Sequence, residues 1–335
     1  MKHKSGNYES VMEWLLEKKD YSVRYWALQN FLGLSANSSK VADTLENIKE
    51  SKIAKAILDA QQPEGFWVKE DDMYLPKYKA TTHQLLILAE LGMPRTPNVE
   101  RGIEQIFRFQ RNNGHFLTKL PKSERGRDSV VKDGCCLDGN ILFYLIRFGY
   151  YGDPRTTRLM DFIIDYHDSE NSGWPCRAYP INPEAVFPVN CYMGSTKILK
   201  ALSFLPIKKR NETINRIVEA ETEKILTNYI FKYLRNPDGS RKDKAGWKRF
   251  GFPLFYQSDI LEVLDTLTRL GVKDERMAPA IRLVKETMGR DGKWVLKNSF
   301  NGKMWADIEN KNKPSKWITL RAIRILERYS QNTQS

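Results

Sequence analysis

The sequence predicts an all-α chain folded as a closed (α/α)6 double ring, a toroid of six helical hairpins. Three observations carry that prediction. Four apolar helical runs end in glycine and a turn: Arg24–Gly33, His83–Gly92, Asn140–Gly149 and Glu262–Gly271. Lys197–Pro206 and Trp317–Tyr329 repeat the run without the glycine. Glycine suits these ends because it takes the left-handed conformation that closes a helix. Amphipathic segments alternate with the apolar ones, which is the pattern of a helix pair that buries one face against its neighbours. Sustained alternation bounded by hairpin turns, the mark of strands, is nearly absent.

The inner ring is expected at 23–33, 82–91, 136–148, 191–205, 257–270 and 315–328. The outer helices are expected near 52–55, 97–110, 154–166, 210–228 and 275–288, with Tyr8–Glu17 as the sixth. Several outer helices run into a shared signal of glutamine, glycine and an aromatic. Gln61-x3-Gly65-x-Trp67 and Gln110-x3-Gly114-x-Phe116 carry it whole. Met288-x3-Gly292-x-Trp294 replaces the glutamine, and Ser172-Gly173-Trp174 and Asp238-Gly239-Ser240 keep parts. Glutamine can cap backbone at the helix end, glycine permits the turn, and the aromatic packs back on the next unit. Six units without a polar capping face at either end favour a closed ring over an open solenoid.

With 335 residues, 41% hydrophobic and 28% charged, the chain is expected to form one domain over 1–335, ordered from about 8 to 330. No apolar stretch reaches the ~18 residues of a membrane span, and no signal-peptide core follows the polar start. Four cysteines, with Cys135 and Cys136 adjacent, do not form a disulfide framework, so a cytoplasmic location is expected. The net charge of +13 is the unusual quantity.

The glutamine–glycine–tryptophan signal resembles the QW repeat of squalene–hopene cyclases. The alternation over about 20–329 is similar to the toroid superfamily of terpenoid cyclases and protein prenyltransferases, including compact squalene-cyclase-like proteins with one toroid. Tyr74-Leu-Pro-Lys-Tyr78 and Lys313-Pro-Ser-Lys-Trp-Ile-Thr-Leu320 carry the latter likeness. The resemblance implies cyclase or prenyl-transfer chemistry, but its signatures are incomplete. The Asp-x-Asp-Asp acid of the cyclases is missing, and Glu70-Asp71-Asp72 is the nearest acidic cluster. Prenyltransferases hold zinc with Asp-Gly-Cys and a later histidine. Asp133-Gly134-Cys135 matches the first part, but Val189-Asn190-Cys191-Tyr192 has no histidine. A substitute zinc set would draw on Asp133, Cys135 or Cys136, Cys176 and Cys191. Close helix packing is the competing account of these cysteines, since Cys136-Leu-Asp-Gly139 and Cys191-Tyr-Met-Gly194 begin adjacent inner helices.

The loops entering the inner helices share one rim in such a ring. Those at 62–80, 112–133, 167–188, 232–252 and 289–316 carry 8 of the 13 excess positive charges, with Trp67, Trp174, Trp247, Trp294 and Trp305. A basic, aromatic rim suits an isoprenoid or similar amphipathic anion in the central cavity, with Mg²⁺ accompanying a diphosphate. The ligand-binding candidates are Tyr78, Trp247, Arg249, Tyr256, Lys316 and Trp317. Asp133, His83 and Asp72 are the acid–base candidates. Nucleic acid or an acidic partner on the rim is a second reading. A carbohydrate-active toroid working on acidic polysaccharide is a third. Peripheral membrane contact is compatible with the charge. Whether the chain is an enzyme stays open at this point.

Overall fold

A computed structural model describes residues 5–123, 134–175, 190–234 and 239–331. Its helices in chain order are α1 (Ser5–Leu15), α2 (Tyr21–Phe31), α3 (Ser39–Glu46), α4 (Lys52–Asp59), α5 (Thr81–Leu91), α6 (Pro97–Phe107) and α7 (Cys135–Arg147). They continue with α8 (Pro154–Asp165), α9 (Tyr192–Phe204), α10 (Glu212–Thr227), α11 (Ile260–Arg269), α12 (Ala278–Glu286) and α13 (Lys316–Gln331). Helices α2, α5, α7, α9, α11 and α13 form the inner ring. Consecutive members from α5 to α13 touch, and α13 packs on α2. The indole N–H of Trp26 on α2 donates to Glu90 O on α5 at 3.1 Å and closes the circle. The all-α toroid expected from the repeats is the fold.

Burial separates the two rings. Every residue of α5 is buried, whereas on the outer helix α6 one face is buried and the other exposed. Outer helices start at caps the sequence supplies. The side chains of Thr96, Asp153 and Asn211 accept from backbone N–H groups in the first turns of α6, α8 and α10. Each satisfies one orphan donor at a helix start. The indoles after the outer helices are structural. Trp67, Trp174 and Trp294 donate to Ile57 O, Ile163 O and Val284 O at 2.7–2.8 Å, each pinning the turn to the helix it follows. The glutamines reach forward instead. Gln61 Nε2 donates to Gly65 O and to Asn98 O of the next outer helix, both at 2.9 Å, and Gln110 Nε2 donates to Gly114 O and Arg155 O at 3.1 and 2.8 Å.

Three features depart from expectation. Helix α3 buries Val41 and Thr44 against α2 in a stretch with no glycine-ended run to announce it. A short antiparallel ribbon joins β1 (Lys232–Leu234) to β2 (Arg241–Asp243); β2 is wholly exposed and charged, so it lacks the apolar alternation that marks a strand. Helix α11 begins at Ile260 rather than 257, because Asp259 caps it by accepting from Glu262 N at 2.9 Å. The preceding backbone serves other contacts: Gln257 O accepts from Lys197 Nζ and Phe255 O from Asn140 Nδ2. No helix among the described residues is long and apolar enough to cross a membrane.

Candidate functional site on the toroid axis

At the end where the long loops enter the inner helices, the axis is closed by packed rings. His83 opens α5, and its imidazole lies 4.9 Å from the Tyr74 ring, 5.8 Å from Tyr78 and 5.2 Å from Phe255. Phe300 stacks on Tyr78 at 4.4 Å and meets Phe255 edge-on at 5.1 Å. Phe255 precedes α11, yet its carbonyl accepts from Asn140 of α7 at 3.0 Å, so this segment crosses the mouth. Above this floor Tyr74, Tyr78 and Tyr256 are half-buried. The Lys77 ammonium sits 5.9 Å from the Tyr74 ring and 5.2 Å from Tyr256, and Lys79 lies 4.9 Å from the exposed Trp305. Ring faces attract such cations without neutralising them.

Deeper along the axis the inner helices meet through charge. Lys197 of α9 donates to both carboxylate oxygens of Glu262 on α11, at 2.8 and 2.6 Å. Lys200 bridges Glu262 at 3.0 Å and Glu90 of α5. Arg321 of α13 holds the other Glu90 oxygen at 2.9 Å. Arg324 grips Asp265 through two bonds of 2.8 and 2.5 Å, and Arg328 adds a third at 3.0 Å. Burial alone would raise the Glu90 carboxyl, but Lys200 and Arg321 outweigh it and hold it down at about 2. Burial likewise pulls the Arg269 guanidinium down to about 9 despite Asp265. Isolated buried charges cost far more than paired ones, so the network holds only as a set.

Below and beside this network lies a cavity of about 30 Å³, lined by Trp26, Phe143, Arg147, Lys200, Arg269, Trp317, Arg321 and Arg324 among others. Its lining runs along the axis, from Glu262 and Trp317 in the first turns of α11 and α13 to Arg147, Phe204 and Arg269 at the C-terminal ends of α7, α9 and α11. Among the described residues, the rim end of the axis is packed with aromatic side chains.

The predicted site residues are not one constellation. Tyr78 and Tyr256 come together at the mouth, joined by Tyr74, Lys77 and Lys79, which the sequence reading passed over. His83 is beneath them, 3% exposed, with Nδ1 unpartnered. Burial, and then the Lys77 charge, depress its pKa to about 3, so it stays neutral and shut off. Asp72 is a turn-former: its Oδ1 accepts from Tyr74 N and Leu75 N at 3.1 and 2.7 Å. Lys316 is committed to Glu17 and Asp20, at 2.9 and 2.8 Å. Trp317 stacks on Phe252 at 4.1 Å and lines the deep cavity. Trp247 is apart from the mouth, packed with Tyr192 and Lys244, and Arg249 is exposed beside it.

Asp133 and Cys176 of the zinc set lie outside the described residues. Cys135 is buried and Cys136 and Cys191 are half-buried, and among the described residues no group of three His, Cys, Asp or Glu side chains could hold a metal. Packing explains the described part of the pattern. A Cβ on Gly139 would stand 2.7 Å from backbone of Lys197 and Ile198, whereas one on Gly194 would make ordinary contacts of 3.6–3.7 Å with the Cβ atoms of Cys135 and Cys191. Small residues let α7 and α9 approach.

No protein-family model matches this chain, and no curated protein matches it in sequence. Solved structures do. A polysaccharide lyase superposes with a TM-score of 0.52 at 12% identity over 99% of both chains. The type II terpene cyclase MstE from Scytonema, in complex with geranylgeranyl dihydroxybenzoate, gives 0.47 at 13% identity over 94% of this chain and 87% of that one. An unsaturated glucuronyl hydrolase specific for heparin gives 0.47 at 12% identity over 95% and 87%. At these identities the likeness is one of fold: the chain is an α/α toroid, the architecture it shares with the polysaccharide lyase.

Proposed function

We propose that the chain binds an acidic polysaccharide laid across the mouth of the toroid. The observation that carries this reading is the mouth: tyrosine rings and lysine ammonium groups stand over a floor of packed aromatics. A ligand there must lie across the surface. Flat sugar faces suit the rings, and carboxylate or sulfate groups suit Lys77 and Lys79. The isoprenoid reading asks for a pocket of at least ~300 Å³, and the axial cavity has about a tenth of that. Trp67, Trp174 and Trp294 are at most 2% exposed, so nucleic acid would have to stack on the same mouth rings as a sugar chain. A polysaccharide lyase shares the fold, which makes the ligand class a natural one to test without deciding it.

Titration of a defined uronic-acid oligosaccharide, farnesyl diphosphate and a single-stranded oligonucleotide tests the reading. Saturable oligosaccharide binding, weakened about tenfold or more when Lys77→Ala and Lys79→Ala are combined, is expected. Saturable farnesyl diphosphate binding with no response to the oligosaccharide would overturn it.

A further inference from the structure

The deep cavity carries more positive charge than its carboxylates can use. Arg147, Lys200, Arg269, Arg321 and Arg324 line it with only Glu90, Glu262 and Asp265 against them. Every oxygen of those three already accepts at least one bond. Glu90 spends its oxygens on Lys200 and Arg321, Glu262 on Lys197 and Lys200, and Asp265 on Arg324 and Arg328. Three guanidinium groups are left with buried nitrogens that have no acceptor among the described residues: Arg147 Nε, Arg269 Nε and Arg321 Nη1. Arg321 is 5% exposed, so bulk water does not serve it. Among the described residues Arg147 has no carboxylate in ion-pair range; its guanidinium hydrogen-bonds with Tyr25 and lies 4.7 Å from the Trp26 ring and 5.4 Å from Phe204. Arg269 is 3.9 Å from both the Phe204 ring and its nearest carboxylate oxygen on Asp265. Buried donors are ordinarily paired.

We infer that this cavity is a binding site for one compact tetrahedral oxyanion, phosphate or sulfate in class. The orphan donors belong to cavity-lining residues of three inner helices, α7, α11 and α13. A tetrahedral anion offers acceptor oxygens in every direction, whereas a planar carboxylate offers them in one plane. The cavity's size admits a group of a few heavy atoms, too little for the body of a larger molecule. The site is separate from the mouth, and its occupancy does not depend on what the mouth binds. An anion there would tie three inner helices together and offset part of the excess positive charge of the axis.

The test is thermal unfolding of the whole chain in inorganic phosphate, in phenyl phosphate and in chloride, at matched ionic strength. The midpoint should rise with phosphate and saturate, as for a ligand bound to the native state only. Arg147→Met keeps the side-chain bulk between its two rings and breaks no ion pair, though it removes the hydrogen bond with Tyr25; it should weaken the phosphate response at least tenfold. Lys208→Met removes the same charge from an exposed position and should leave the response unchanged. A response to both phosphates would assign the site to terminal phosphoryl groups, and a response to inorganic phosphate alone to the free anion; each supports the site. Crystals soaked in tungstate should show an anomalous peak in the cavity, which covers the case in which Arg147→Met fails to fold. No phosphate response beyond chloride, or an equal response in Arg147→Met, or no peak in the cavity, would overturn the inference.

Discussion

Lys197→Met is the sharpest probe of what holds the inner ring together. Lys197 is 0% exposed and gives three hydrogen bonds, two to Glu262 and one to Gln257 O at 2.7 Å. Methionine keeps most of the volume and removes the charge. Glu262 would then rely on Lys200 alone, a partner already shared with Glu90. Breaking a buried pair from one side costs roughly 3–5 kcal/mol, because the remaining charge stays buried. At about 2.1 cal/mol/K per residue, a chain of 335 residues loses roughly 1–2 °C of midpoint per kcal/mol. A drop of about 4–7 °C by calorimetry is therefore expected. Adding Glu262→Gln should recover part of it, since the stranded charge is gone. A single variant within about 1 kcal/mol of the parent would refute the idea that the axis is held as an interdependent charge network.

Gly114 sits at φ +96° with a would-be Cβ 2.0 Å from Arg158 O, whereas Gly33 at φ +59° has open space. Urea unfolding should show Gly114→Ala losing about 2–4 kcal/mol and Gly33→Ala about 1–2; equal losses would contradict the packing role given to the first. Lys244 is buried against Tyr192 and Trp247, and burial followed by the Lys224 charge pulls its pKa down to about 6. The unfolded chain then holds that proton more tightly from about pH 6 to 10.5, so this residue makes stability rise with pH across that window. Lys244→Met should flatten the rise, and parallel pH profiles of the two proteins would contradict it.

The ring was legible because its signals are local. Gly92 after α5 takes φ +82°, as its place behind an apolar run implied, and the capped outer helices start at Thr96, Asp153 and Asn211. The charged axis was legible too, though unread. Lys197 and Lys200, then Glu262, Asp265 and Arg269, then Arg321, Arg324 and Arg328 are spaced by three and four, which puts each set on one helix face. Charges inside otherwise apolar inner helices have nowhere to point except at each other. The mouth was half-legible. Tyr78 and Tyr256 were named for their loops, but Phe255 and Phe300 close the axis through contacts between segments far apart in sequence, which no local pattern encodes. Lys316 looked like a free rim cation, and only the fold brings it to Glu17 and Asp20.

A crystal structure with a bound uronic-acid oligosaccharide tests the central claim most directly. The account predicts sugar rings over Tyr74, Tyr78 and Tyr256, with carboxylates in ion-pair range of Lys77 and Lys79 and the aromatic floor of His83, Phe255 and Phe300 unmoved. A ligand threaded past that floor into the toroid, or seated on the outer helices, would contradict it.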